Sequence, residues 1–204
     1  MVEQVAANFW YVMDRGGLLM WPLGLLAIVA VMLIVERSWF WIRMNHPARL
    51  TRLNQISMLL RQRELAAAGD LVRNDRSVYG QATIRLIRRP VNPADVADAV
   101  QTQRARMERF MPTLSTIITA APLLGILGTV TGLIRSFHIL SADNAVVHPR
   151  AVSPAIAEAL LTTAVGLAVS LVVLFPYNAF RAQVDRTLNR FEVLIAAVGQ
   201  SDGR

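Results

Sequence analysis

The chain has no cysteine, which rules out disulfides, thiolate metal sites and a cysteine nucleophile. It has no lysine either: all 21 basic residues are arginine, and against 14 acids they leave a formal charge of +7. A basic region ahead of a short apolar run is also missing. The start, MVEQVAANFWYVMDRGG, is acidic-leaning and amphipathic, a poor cleavable signal peptide. There is no paired Ser/His or Asp/Asp constellation, no metal-ligand motif and no internal repeat. Catalysis and solute transport therefore have little support, and we expect neither an enzyme nor a bound metal or cofactor. Charge itself is scarce in particular places: none lies between Leu18 and Val35, and a single ionisable side chain, Glu158, lies between Pro154 and Pro176.

Hydrophobic residues make up 54% of the chain, mean hydropathy is +0.41, and the apolar residues cluster in runs, which places the chain among integral membrane proteins. The expected fold is all-α, an integral membrane protein with three transmembrane helices and a helical cytoplasmic domain. Residues 1–17 read as an amphipathic helix, with Val5, Phe9, Val12 and Met13 near one face and Trp10 and Tyr11 suited to headgroup level. Residues 18–35 form the first span, closed by Glu36-Arg37 and the aromatic cluster Trp39-Phe40-Trp41 beside Arg43. Residues 36–111 are polar and helix-rich, with fourteen arginines against seven acids, so the positive-inside tendency makes them cytoplasmic. These arginines are interleaved with acids and belong to no nucleic-acid module; lipid headgroups, not nucleic acid, are their expected partner. Asn92-Pro93-Ala94-Asp95 starts a helix, predicted to run through Phe110 into the next apolar segment with a kink at Pro112. Residues 112–137 are the second span, 138–153 an outside loop, 154–176 the third span and 177–204 a cytoplasmic C-terminal helix. Three spans with an arginine-rich inner loop put the N-terminus outside and the C-terminus inside.

A buried carboxylate is costly unless it faces a protein interior or a water-filled path, which makes Glu158 the leading functional candidate. At about 100° per residue, Glu158, Thr162, Gly166 and Ser170 share a small, polar stripe, while Leu160, Leu167, Leu171 and Leu174 make the opposite face greasy. One reading is a helix with one side on a narrow path; the other is that Glu158 simply bonds a neighbouring helix. In the second span Ala121, Gly125, Gly128 and Gly132 form a thin stripe for close helix packing, with Gly166 as a counterpart on the third. Thr129 either bonds its own backbone or lines the path. Arg135, at the end of that span, is expected to snorkel outward. His138 and His148 lie in the outside loop without a ligand pattern and are not read as a metal site.

Four stretches carry a resemblance: GGLLMWPLGLLAIVAVMLIVERSWF (16–40), APLLGILGTVTGLIRSF (121–137), SPAIAEALLTTAVGLAVS (153–170), and Tyr177-Asn178 followed by Phe180. Together they cover about half the chain and resemble the ExbB/TolQ/MotA proton-channel subunits, with the Glu-Arg exit of the first span most like ExbB. The resemblance implies a pentameric bundle in the bacterial inner membrane, N-terminus periplasmic, built around an ExbD-like single-span partner. It implies use of the proton motive force to drive a TonB-like transducer and so energise transport across the outer membrane. It places the family's membrane glutamate on Glu158 and its two functional threonines on Thr129 and Thr163, whereas the helical repeat favours Thr162. This sequence departs from the family at Val172, where a proline is usual; its proline stands at 176. Two alternatives stay open, a TolQ-like subunit for envelope integrity and a non-conducting scaffold that holds partner helices.

Overall fold

In a computed structural model the described residues are 17–45, 47–62, 64–73, 80–81, 83–84, 93–142 and 149–202. All but Gly17 of the amphipathic helix expected over 1–17, the cap Asn92 and His148 lie outside them. Six helices are described: α1 (Met20–Met44), α2 (Pro47–Arg61), α3 (Leu65–Val72), α4 (Pro93–Met107), α5 (Met111–Ala142) and α6 (Pro149–Asp202). Three of them, α1, α5 and α6, are long and apolar enough to cross a membrane. At 1.5 Å per residue the 54-residue α6 is about 80 Å long, against a hydrocarbon core of about 30 Å, so most of it must lie outside the bilayer.

The chain divides into two compact units. One holds the described parts of Met1–Val35 with Pro112–Tyr177. Many of its large side chains point outward: Leu25, Ile28 and Met32 of α1, Leu123 and Ile126 of α5, and Leu160, Leu171 and Phe175 of α6 are all exposed, while Met20, Leu23, Leu114, Ile117 and Val173 are buried. The seam between α5 and α6 is rich in small residues: Ala121, Ala155 and Ala159 are buried, as are Gly125, Gly128 and Gly166. A small-residue seam with large apolar side chains exposed around it suits a lipid solvent, where close backbone approach helps to hold helices together.

The partners along that seam set an antiparallel register. Gly125 faces Thr163, Gly128 faces Thr162, and Gly132 faces Ala159. A Cβ on Gly166 would lie 2.5 Å from the Ala121 carbonyl oxygen, so only glycine lets the two backbones meet there. Pro122 lies inside α5 and has no N–H to offer the carbonyl four residues back, Ile118. Ser170 of α6 supplies the missing donor, its hydroxyl 2.7 Å from the Ile118 oxygen. A neighbouring helix thus restores the backbone bond that the proline removes, as the dry membrane interior requires.

The second unit takes in Glu36–Met111 and Asn178–Arg204, so far as they are described. Its core includes Trp41, Met44, Ile56, Leu60, Met107, Phe180, Val184 and Phe191. Asn45 donates to Gln183 at 3.1 Å. Helix α4 does begin at Pro93, but it does not run on into α5. Residues 108–110 interrupt it, and Phe110 takes a left-handed φ of 67°. Pro112 explains the break. In a continuous helix it would clash with the Glu108 carbonyl and leave it without a donor, so the chain stops upstream and restarts with Pro112 in a first turn, where proline is tolerated. The Glu108 carbonyl instead accepts from the Met111 N–H at 2.9 Å.

A helix end leaves carbonyls open. Arg37 closes two of them, with Nη1 3.4 Å from both the Arg106 and Met107 oxygens. Its guanidinium also binds Glu36 and lies over the rings of Phe40 and Phe110. Arg37 is only 3% exposed. The Glu-Arg pair that ends the first apolar run therefore does not end the helix; α1 continues to Met44 and uses Arg37 to cap α4.

Candidate functional site

Glu158 lies two and a half turns into α6 and is partly covered, its side chain 27% exposed. Its carboxylate meets Arg135 of α5: Nη1 lies 3.3 Å from Oε1 and 3.2 Å from Oε2. One nitrogen serves both oxygens, so this is a looser arrangement than the two-nitrogen fork of which arginine is capable. Arg135 is 63% exposed and therefore stays within reach of solvent or another chain. The third wall comes from the segment before α1. Gly17, at φ +66°, places its backbone so close to Glu158 that any side chain would collide with the carboxylate. Leu18, Leu19, Leu127, Thr131 and Ala159 help to close a pocket of about 250 Å³ around the pair.

Arg135 does not point away from the protein as its place at the end of an apolar run suggests; it turns back to Glu158. The signal was in the sequence. The stripe Gly125, Gly128, Gly132 advances by three and four residues, and its next step is 135. Whatever face the glycines present to α6, Arg135 continues it. Gly17 carried no comparable signal, because its role depends on a turn and on a partner 141 positions away in sequence.

The three threonines are placed differently from one another. Thr162 is 2% exposed, facing Gly128, and donates to the Ala159 carbonyl at 2.7 Å. Thr163 donates across the seam to the Gly125 carbonyl at 2.6 Å. Thr129 donates to Ile126 of its own helix at 2.7 Å. Each hydroxyl has therefore given its one proton to a backbone oxygen, and only acceptor lone pairs remain for water or a partner. Glu158 and Thr162 share the pocket lining, whereas Thr163 and Thr129 do not take part in it. Within the single chain the stripe of Thr162, Gly166 and Ser170 is the seam against α5, and Leu160, Leu167 and Leu171 are exposed on the other side.

A site of this kind can hold one carboxylate in an apolar setting, beside an exposed cation. It offers no nucleophile–base pair. The ExbB-like 1 protein of Synechocystis sp. is 33% identical over 191 residues, 91% of this chain and 74% of its own length. The biopolymer transport protein exbB1 of Vibrio cholerae is 27% identical over 86% of this chain and 80% of its own length. The Tol-Pal system protein TolQ of Pseudomonas aeruginosa is 32% identical over 46% of this chain and 40% of its own length. Residues 83–193 match the family described as the MotA/TolQ/ExbB proton channel family, a stretch that contains α4, α5 and the whole Glu158 pocket except its Leu18–Leu19 edge. Three membrane-length helices, a half-buried carboxylate within the apolar stretch of the last of them and this similarity along nine-tenths of the chain make the protein a member of the MotA/TolQ/ExbB proton channel family.

Proposed function

We propose that the chain is the proton-channel subunit of an inner-membrane complex, ExbB-like in role. It would assemble as a homo-oligomer, a pentamer by family resemblance, around an ExbD-like single-span partner. Proton flow down the proton motive force would then move a TonB-like transducer and energise transport across the outer membrane. The N-terminus would be periplasmic, and residues 36–111 with the tail after 177 would be cytoplasmic, in line with the arginine excess of that loop. The protein would act as a channel and motor part, not as an enzyme.

The observation that carries this reading is Glu158, the one titratable group in the apolar part of α6, sitting in a pocket open enough for water. Threonine cannot titrate at working pH, so a change of charge has to sit on the carboxylate. Thr162, Thr163 and Thr129, their protons already committed, would serve as acceptors that orient a water chain. Gly125, Gly128, Gly132 and Gly166 would serve packing. A TolQ-like role in envelope integrity is the second reading, favoured by the similarity to the Pseudomonas protein. That similarity covers less than half of this chain, whereas the ExbB-named relatives from Synechocystis and Vibrio align along most of it.

The test is a proton-motive-force-dependent uptake assay in cells lacking their own copy, with membrane levels equalised. Glu158→Gln should abolish uptake while Glu158→Asp retains part of it. Full uptake with Gln would leave Glu158 as a hydrogen-bonding residue and favour the scaffold.

A further inference from the structure

We propose that Arg135 is a positioning residue for the channel carboxylate: its charge holds Glu158 at the mouth of the pocket, and the protein works only while a cation stands there. The proposal rests on the reading of Glu158 as the working group. Four observations carry it. Among the described residues Arg135 forms an ion pair with Glu158, through a single nitrogen shared by both oxygens. It reaches Glu158 because the α5–α6 seam fixes the register; Gly132 lies one turn before it, against Ala159. The Gly17 backbone passes close enough that a Cβ there would meet the carboxylate, so Glu158 has a second neighbour on a different element. Finally, Arg135 is mostly exposed in the single chain, so its pair with Glu158 adds little to the stability of that chain's own fold.

That last point is decided by magnitude. An ion pair with one partner exposed contributes little to folding. A long side chain ordered for so small a gain is better explained by what it does to Glu158. Without the cation, a carboxylate in an apolar pocket loses its compensation and is free to swing toward solvent. Among the described residues the groups facing it from each packed element are few: Arg135 and Thr131 from α5, Thr162 from its own helix, and the backbone of Gly17 with the apolar side chains of Leu18 and Leu19 before α1. None of these besides Arg135 can neutralise its charge.

The experiment compares wild type with Arg135→Lys, Arg135→Gln, Arg135→Met and Glu158→Gln in the intact complex, in cells, by proton-motive-force-dependent uptake. Amounts of assembled complex are measured in parallel. Gln and Met keep most of the stem and remove the charge; Lys keeps the charge and changes the shape. We expect Gln and Met to lose activity by about tenfold or more, the scale of a misplaced functional group, while assembly is unchanged and Lys retains most of it. Equal loss in Lys, Gln and Met would show that shape and not charge matters, and wild-type activity in Gln and Met would show that nothing depends on Arg135; either result overturns the proposal. Glu158→Gln separates the two levels. If it is inactive while Arg135→Gln is active, only the positioning role fails; if it is active, the reading of Glu158 fails first.

Discussion

Two Glu–Arg pairs, one in each unit, use the same charges for opposite ends. Arg37 is almost fully buried, and it is held by a carboxylate, two helix-end carbonyls and two aromatic rings. Arg135 is largely exposed, with the Glu158 carboxylate as its ion partner. The difference lies in who depends on whom. Glu36 is 45% exposed and could keep its charge in water without Arg37, whereas Glu158 is the more enclosed member of its pair. Arg37 therefore serves the fold, through the broken junction of α4 and α5. Arg135 contacts the carboxylate that we propose carries the proton.

Substitutions should separate these roles, in order of expected size. Arg37→Ala leaves the buried Met107 carbonyl and the half-buried Arg106 carbonyl without their donor and removes packing from Phe40 and Phe110; we expect about 2–4 kcal/mol of lost stability, read as a clear drop in the thermal midpoint of detergent-solubilised protein. Gly166→Ala forces a Cβ onto the Ala121 carbonyl and, because backbone cannot yield as a side chain can, should cost about 1–3 kcal/mol and loosen the seam. Ser170→Ala leaves the Ile118 oxygen without the donor that replaces the Pro122 N–H, for about 1–2 kcal/mol; Pro122→Ala in the same background should recover most of it, since the helix then supplies its own bond. Recovery failing to occur would mean that the hydroxyl matters for something other than the proline. Arg135→Gln should change stability by less than about 1 kcal/mol despite its large effect on activity. Arg104→Ala should shift nothing measurable. Its pair with Glu108, whose hydrogen bond and charge push the Arg104 guanidinium further up, is about half exposed on both sides.

The spans were legible because length and lack of charge are local properties: three apolar runs of membrane length stand out without any knowledge of packing. Glu158 was legible for the same reason, as the exception within one run. The junction at 108–110 was half legible. Pro112 signalled a disturbance, but whether a proline bends a helix or ends it depends on what can satisfy the freed carbonyls, and Arg37 is some seventy positions away. Arg135 misled because an arginine at the end of an apolar run normally reaches for water. Only the register of α5 on α6, written in the spacing of Gly125, Gly128 and Gly132, shows that it faces Glu158 instead. The choice between Thr162 and Thr163 shows the limit of a helical wheel. Thr162 does share the Glu158 pocket, yet Thr163 is the one that bonds the facing helix, because a seam between close-packed helices is wider than a single stripe.

The central claim is that an ionisable group at 158 carries proton flow. The most direct test is proton flux into vesicles that contain the complete complex with its single-span partner, driven by an imposed membrane potential and read with a pH-sensitive dye. Wild type should conduct, Glu158→Asp should conduct more slowly, and Glu158→Gln in equally assembled complex should fall to the background of empty vesicles. Undiminished flux through the Gln variant would contradict the account and place the proton path on other groups.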